Sequence, residues 1–156
     1  MSIYGAVHIE ASGKIIGAMS SSGDGCIVFD DNTVEVDVTN QDNLDLLKMI
    51  NLGKYYYYDL QTNLLTERVR QTTQINKTEL IADGVDTIDI TNAPQGLFSI
   101  STLNEALKDI PIEHADVIES GQIFNNDTFS TTIPGTYYIR IDAFPYLDFT
   151  ATVEAT

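Results

Sequence analysis

The chain has 156 residues, of which 43% are hydrophobic, so it can form one medium-sized or two small globular domains. Lys and Arg number 8 against 23 Asp and Glu, which gives a formal net charge of −15. Because nucleic acids and anionic membranes both attract basic surfaces, this charge argues against either as a partner.

Residues 1–70 show short strand patterns separated by turns, which predicts a small β-rich N-terminal domain. The sequences IYGAVHIE and KIIGAMS flank a turn at Ala11–Gly13 and predict a hairpin. The sequences CIVFDD and TVEVDVT follow, joined at Asp31–Asn32. In TVEVDVT, valines alternate with acidic residues, which is typical of a strand with one buried face.

A change to helical periodicity predicts a helix near residues 41–52, lying on this small sheet. Thr39 with Asp42 forms a candidate capping box at its start. Gly53 suits the position after its end. The apolar residues that recur at helical spacing are Leu44, Leu47 and Ile50.

Four consecutive tyrosines, Tyr55–Tyr58, open a last hairpin that turns at Gln61–Asn63. On a strand, alternate tyrosines face opposite sides, and a one-sided sheet buries only one pair. The other pair packs on the predicted helix or the second segment, meets another subunit, or stacks on carbohydrate. Tyr56 and Tyr58 are our candidates for an interface, because Tyr is enriched in interface cores.

Residues 71–77, QTTQINK, lack apolar periodicity and are interpreted as a linker. The stretch IADGVDTIDITNAPQG follows, in which Asp83–Gly84 predicts a turn. Ile88 and Ile90 then alternate with polar residues, and Pro94–Gly96 is expected to close the strand. Because these acids lack the ligand spacing of a calcium loop, we expect scaffold and no bound metal.

Further strand patterns fill the rest of the chain after STLNEALKDIP, which predicts a short helix capped by Thr102 and Glu105. The predicted strands are ADVIES, QIFNNDTFSTTI, PGTYYIRIDAF and LDFTATVEA. Their regular spacing favours a β-sandwich over residues 78–156. Phe144 and Tyr146, around Pro145, suggest an aromatic tip that packs into the core or meets a partner.

Two of these stretches resemble bacterial immunoglobulin-like domains of phage structural proteins and surface adhesins. They are ADGVDTIDIT at 82–91 and PGTYYIRIDAFPYLDF at 134–149, and the resemblance covers residues 76–156. It implies a C-terminal immunoglobulin-like β-sandwich. The first segment resembles small tail-associated phage proteins that begin with a hairpin.

Residue types that carry catalysis do not form a recognisable set. Cys26 could pair with His8 or His114, but no third group is evident and Cys26 opens the apolar run CIVF. A single Cys also allows no internal disulfide, and the His and Cys residues lack zinc-ligand spacing. A glycosidase cleft is disfavoured because the chain has no Trp. We expect no enzymatic activity, cofactor or metal.

The expected function is therefore that of a non-catalytic bacteriophage virion structural protein, in the tail or baseplate. It would form homo-oligomers and contact other virion proteins in a repeated assembly. Capsid decoration and a receptor- or glycan-binding module of a tail fibre are the alternatives. Because Met1–Ala11 lacks the basic start and apolar centre of a signal peptide, we expect assembly in the host cytoplasm and localisation in the virion.

Overall fold

The computed structural model describes residues 3–22, 30–102 and 116–156, and these residues are mainly β. The chain divides into two compact units, Met1–Val69 and Arg70–Thr156. Among the described residues, neither of the helices has the length and apolar character that a membrane-spanning helix requires. The run CIVF with Cys26, His114 and residues 103–111 of the predicted helix lie outside the described residues. Thr102, predicted as the cap of that helix, is instead the last residue of a strand.

The first unit is built on short strands that follow one another along the chain. Its elements are β1 (Ile3–Ile9), β2 (Ile15–Ser22), β3 (Thr33–Val36), α1 (Gln41–Leu47), α2 (Leu52–Tyr55), β4 (Tyr56–Asp59) and β5 (Leu64–Glu67). An antiparallel sheet has the order β2-β1-β3, and β4 pairs with β5. Both hairpins predicted from sequence in this unit are confirmed.

The helix predicted near residues 41–52 is wrong in its extent. It is split into α1 and α2, because Asn51 takes a left-handed conformation with φ of 62°. Asn40, not Thr39, caps α1, and its side chain accepts a hydrogen bond from the Asp42 N–H. Ile50, predicted on the buried face, is 87% exposed.

The second unit contains longer strands whose partners lie far apart in sequence. Its strands are β6 (Gln74–Ile75), β7 (Glu79–Leu80), β8 (Ile88–Thr102), β9 (Asp116–Phe129), β10 (Gly135–Asp142) and β11 (Phe149–Ala155). They form one sheet of order β6-β8-β10-β11-β7, with β9 paired to β8. Because the described strands join in a single sheet, an immunoglobulin-like sandwich is not confirmed.

The core of this unit follows the alternation of side chains along each strand. Ile88 and Ile90 of β8 are buried, as the pattern predicts. On β10 and β11 the same face contributes the buried residues Tyr137, Ile139, Ile141 and Val153. The Phe129 and Tyr137 rings contact each other with centroids 5.1 Å apart. Period-two alternation therefore identified the buried face correctly.

Pro94–Gly96 does not end the strand, which corrects the sequence prediction. β8 continues to Thr102, although its pairing with β9 changes register on both sides of Ala93. A Cβ atom at Gly96 would lie 2.5 Å from the Asp142 carbonyl oxygen. Gly96 is thus required for close approach of the end of β10, and the strand bends there without stopping.

Residues 71–77, predicted as a linker, belong to the second unit. β6 pairs with β8, and Thr73 is buried. The Gln71 Nε2 group donates to the carbonyl oxygens of Ile141 at 2.8 Å and Leu147 at 2.9 Å. The sequence lacks apolar periodicity because hydrogen bonds, more than apolar side chains, hold this segment on the sheet.

Candidate interaction surface

The tyrosines predicted to meet a partner lie in or against the core of the first unit. Tyr58 is 6% exposed and packs with the buried side chains of that core, and Tyr56 is half-buried against the same cluster. Burial raises the pKa of the Tyr58 hydroxyl. Tyr58 therefore offers no surface to a partner. The strand begins at Tyr56, two residues into the predicted stretch KYYYYDL, since Lys54 and Tyr55 belong to α2.

The second aromatic pair, Phe144 and Tyr146, lies in the turn between β10 and β11. Both residues are half-buried, and the Tyr146 side chain packs against the core of the second unit. The Tyr146 N–H donates to the Ala143 carbonyl oxygen at 2.9 Å, which closes the turn. Of the two interpretations of this aromatic pair, packing into the core and contact with a partner, the first accounts for Tyr146.

The aspartates near Gly84 act as caps for backbone turns. The Asp83 carboxylate accepts hydrogen bonds from the N–H groups of Val85 and Asp86, both at 2.8 Å. Asp86 accepts from the Lys77 ammonium and from the Ile81 N–H. These bonds lower the pKa of both carboxyls. Across the described ranges, no group of three or more His, Cys, Asp or Glu residues is arranged to hold a metal.

The same turn contributes to an exposed apolar tip of the second unit. The Gly84 N–H donates to the Thr131 carbonyl oxygen at 3.0 Å, which joins this turn to the connection between β9 and β10. Val85 is 81% exposed and Ile133 is 67% exposed. Gly84 has φ of 76°, a conformation that glycine adopts without strain.

A shallow depression of about 460 Å³ lies where β9, β8 and β10 run side by side. Its polar lining includes the side chains of Ser99, Gln122, Arg140 and Asp142. Leu97 and Phe98 provide the apolar part of the lining. The Arg140 guanidinium donates two hydrogen bonds to Asp148, at 2.6 and 3.0 Å. Both N–H groups donate to the same carboxylate oxygen, Oδ2, and this charge-assisted contact holds the guanidinium beside the depression.

The most extended unpaired feature in the described part of the chain is the outer edge of β9. Among residues 3–22, 30–102 and 116–156, this strand pairs only with β8, so none of the described strands covers its other edge. Val117, Ile118 and Phe124 on it are 60%, 51% and 66% exposed. An apolar edge of this kind is a template for pairing with another strand.

Sequence reasoning missed this edge because it read residues 116–129 as parts of two strands. The stretch contains no Pro and no Lys, and its single Gly121 does not interrupt the ladder, where it pairs with Phe98. A continuous run of fourteen residues without Pro was the available signal.

Comparison of the chain with protein-family models, with curated proteins and with solved structures found no match.

Proposed function

We propose that this protein is a non-catalytic structural component of a bacteriophage virion, in the tail or baseplate, that acts through protein–protein contacts in a repeated assembly. The outer edge of β9 carries this proposal, since no other strand in the described part of the chain pairs with it and its apolar side chains are exposed. Such edges are usually shortened, charged or covered in proteins that remain monomeric.

The state of the acidic side chains also favours a structural role. A general acid needs a carboxyl whose pKa is raised towards neutrality. Hydrogen bonds accepted by the carboxylates lower the pKa of several described aspartates instead. These are Asp30, Asp37, Asp59, Asp83 and Asp86. They serve the fold as ionised turn caps.

The placement in a virion rests on the sequence resemblance at 82–91 and 134–149. The net charge of −15 keeps free subunits apart before assembly, because like charges repel. A capsid decoration protein would use the same kind of protein–protein contact. It would differ only in which virion protein it binds. Both placements require other virion proteins as partners.

Quantitative mass spectrometry of purified particles tests the proposal. We expect the chain at a fixed copy number relative to the major capsid and tail proteins. Immunogold labelling of the same particles separates the tail from the capsid surface. Absence of the chain from washed particles would overturn the proposal in either placement.

A receptor- or glycan-binding module is the second candidate, and the depression beside Arg140 favours it. A fixed guanidinium with neighbouring Ser, Gln and Asp side chains can hydrogen-bond sugar hydroxyls or a carboxylate. Glycan-array binding that is lost in Arg140→Ala would support this function. Failure of the wild-type protein to bind any glycan leaves the structural role as the better proposal.

A further inference from the structure

The strand register in the second unit arranges the side chains at the depression beside Arg140 in two rows. In the first row, Arg140 of β10 lies beside Ser99 of β8, which lies beside Ser120 of β9. The second row, on the same face of the sheet, consists of Asp142, Leu97 and Gln122. Strands lie about 4.8 Å apart and alternate residues about 7 Å apart, so the array covers roughly 10 Å by 7 Å. The array is thus the size of a small organic ligand.

Two exposed apolar side chains interrupt this polar face. Leu97 lies in the middle of its row and is 61% exposed. Phe124 is 66% exposed, whereas the preceding residue on β9, Ile123, is buried in the core. Because side chains alternate between the two faces of a strand, Phe124 lies on the same face as Gln122. An aliphatic and an aromatic side chain therefore lie beside the polar groups of the depression.

We propose that this array binds an uncharged saccharide, with the Phe124 ring against the apolar face of a sugar and the polar side chains on its hydroxyl groups. A pyranose ring presents C–H groups on its faces and hydroxyl groups around its edge. An aromatic ring matches the former, and guanidinium, amide and hydroxyl groups match the latter. The depression, of about 460 Å³, lies within the usual volume range of small-ligand sites. This inference rests on the second candidate function, glycan binding, and names the class of glycan.

The Arg140 guanidinium can bind a ligand although it is already paired. Within the described part of the chain, two of its five N–H groups donate to Asp148 Oδ2, which leaves three for a ligand. Because the contact with Asp148 holds the guanidinium in place, less side-chain entropy is lost on binding. Ser99, Ser120 and Gln122 add groups that both donate and accept hydrogen bonds, as sugar hydroxyls do.

The charges around the array favour an uncharged saccharide over an acidic one. Asp142 lines the depression and Asp148 pairs with Arg140, so two carboxylates accompany one guanidinium. Both carboxylates, and the net charge of −15, would repel an acidic sugar. Binding of an uncharged saccharide should depend little on NaCl, because the ligand has no charge for salt to screen. Salt dependence therefore distinguishes an uncharged from a charged ligand.

A glycan array that carries uncharged, acidic and amino glycans, probed with the full chain, is the first test. We expect binding to uncharged glycans and not to acidic ones. Titration of the best-bound glycan, followed by NMR chemical shifts, then gives the dissociation constant at low and high NaCl. Because the depression is shallow, we expect a dissociation constant on the order of 1 mM that is the same at both salt concentrations.

Four single variants test the site. Phe124→Ala removes the aromatic ring and should weaken binding about fivefold or more. Phe124→Tyr keeps the ring and should bind at wild-type strength. Arg140→Ala removes the guanidinium and should weaken binding about tenfold. Val85→Ala truncates an apolar side chain at the exposed tip, outside the array, and should leave binding unchanged.

Circular dichroism and thermal melts must show that the variants remain folded, which their exposed positions favour. Binding that Phe124→Ala and Arg140→Ala both leave intact would overturn the site. A charged glycan that binds there, with an affinity that falls as NaCl rises, would overturn the uncharged class but keep the glycan-binding function. If no glycan binds, this inference and the second candidate function fail together. The structural role, which is tested on purified particles, would still stand.

Discussion

The two units of the chain differ in whether the sequence reveals which of their residues are exposed to a partner. In the first unit, Tyr56 and Tyr58 were interface candidates from the sequence, but Tyr58 is buried in the core and Tyr56 packs against it. In the second unit, β9 lacks any conspicuous motif and yet presents the longest unpaired edge of the described strands. The pattern of side chains along a strand predicts which of its faces is buried. Whether the strand lies at the edge of its sheet depends on pairing partners that are far away in sequence.

The largest expected effect is in the first unit, where Tyr58→Ala should break the core. Tyr58 is 6% exposed and packs with Val7, Ile15 and Leu52. Removing a large buried ring costs about 3–5 kcal/mol, enough to unfold a unit of ordinary stability. Hydrogen exchange read by peptide should show loss of protection in the first unit alone.

Tyr57→Ala is the matched control, because Tyr57 directly precedes Tyr58 on β4 and is only half-buried. Its cost should be clearly smaller. Equal destabilisation by Tyr57→Ala would show that the two faces of β4 do not differ as the structure indicates.

In the second unit, two fragments test the segment that sequence reasoning mistook for a linker. A fragment of residues 70–156 keeps Gln71, Thr73 and β6, whereas a fragment of residues 76–156 lacks them. The shorter fragment loses several backbone-directed hydrogen bonds and should be less stable by roughly 3 kcal/mol. Urea unfolding monitored by circular dichroism gives both stabilities.

Within the longer fragment, Gln71→Ala should account for part of this difference, since its amide group bridges two carbonyl groups. Identical midpoints for the two fragments would mean that residues 70–75 contribute nothing to the unit. The linker interpretation would then be correct in energetic terms.

The sequence predicted local features of the fold well, for physical reasons. Alternation placed Ile88, Ile90 and Tyr137 on the buried face, because strand geometry fixes that periodicity. The hairpins of the first unit were also predicted, since turn residues act on their immediate neighbours. The mainly β class with a small helical insertion followed from these features.

Features that depend on distant contacts or on a single backbone angle were not predictable. The left-handed conformation of Asn51 divides the helix, although the apolar spacing continues through it. The sequence predicted that the strand ends at Pro94–Gly96. The close approach of the Asp142 carbonyl oxygen, which leaves no room for a Cβ atom, explains the glycine at position 96. The run of residues 116–129 without Pro could have indicated one long strand, but only the pairing of β9 with β8 shows that it lies at an edge.

A smaller effect is expected from Gly96→Ala, which tests the close approach in the second unit. The added Cβ would lie 2.5 Å from the Asp142 carbonyl oxygen and 2.7 Å from the Ala143 Cβ. Such overpacking costs about 1–3 kcal/mol. In the first unit, Gly17→Ala is the control, because its nearest contact would be an ordinary 3.6 Å to the His8 Cβ. Thermal melts of both variants should show a loss only for Gly96→Ala.

The smallest effects concern pH, to which both units should respond in the same direction. The pKa of Asp86 is lowered, first by its hydrogen bond with the Lys77 ammonium and then by the Ile81 N–H. In the first unit, the Thr39 hydroxyl and then the Thr39 N–H lower the pKa of Asp37. A carboxyl whose folded pKa lies below its unfolded value near 3.8 stabilises the fold above that pH.

This stabilisation is lost as the pH falls through the folded pKa, so both units should become less stable below about pH 4. Asp86→Asn should lower the stability of the second unit at pH 7 and flatten its loss on acidification, because the ionised carboxylate is no longer there to be protonated. Asp31→Asn removes the same charge from an exposed position, so it controls for the change in net charge. Urea midpoints measured between pH 3 and pH 7, with hydrogen exchange to assign them to units, provide the comparison. Parallel curves for Asp86→Asn and the wild-type protein would show that the Lys77–Asp86 contact does not stabilise the turn, and the acid sensitivity of the second unit would then lie elsewhere.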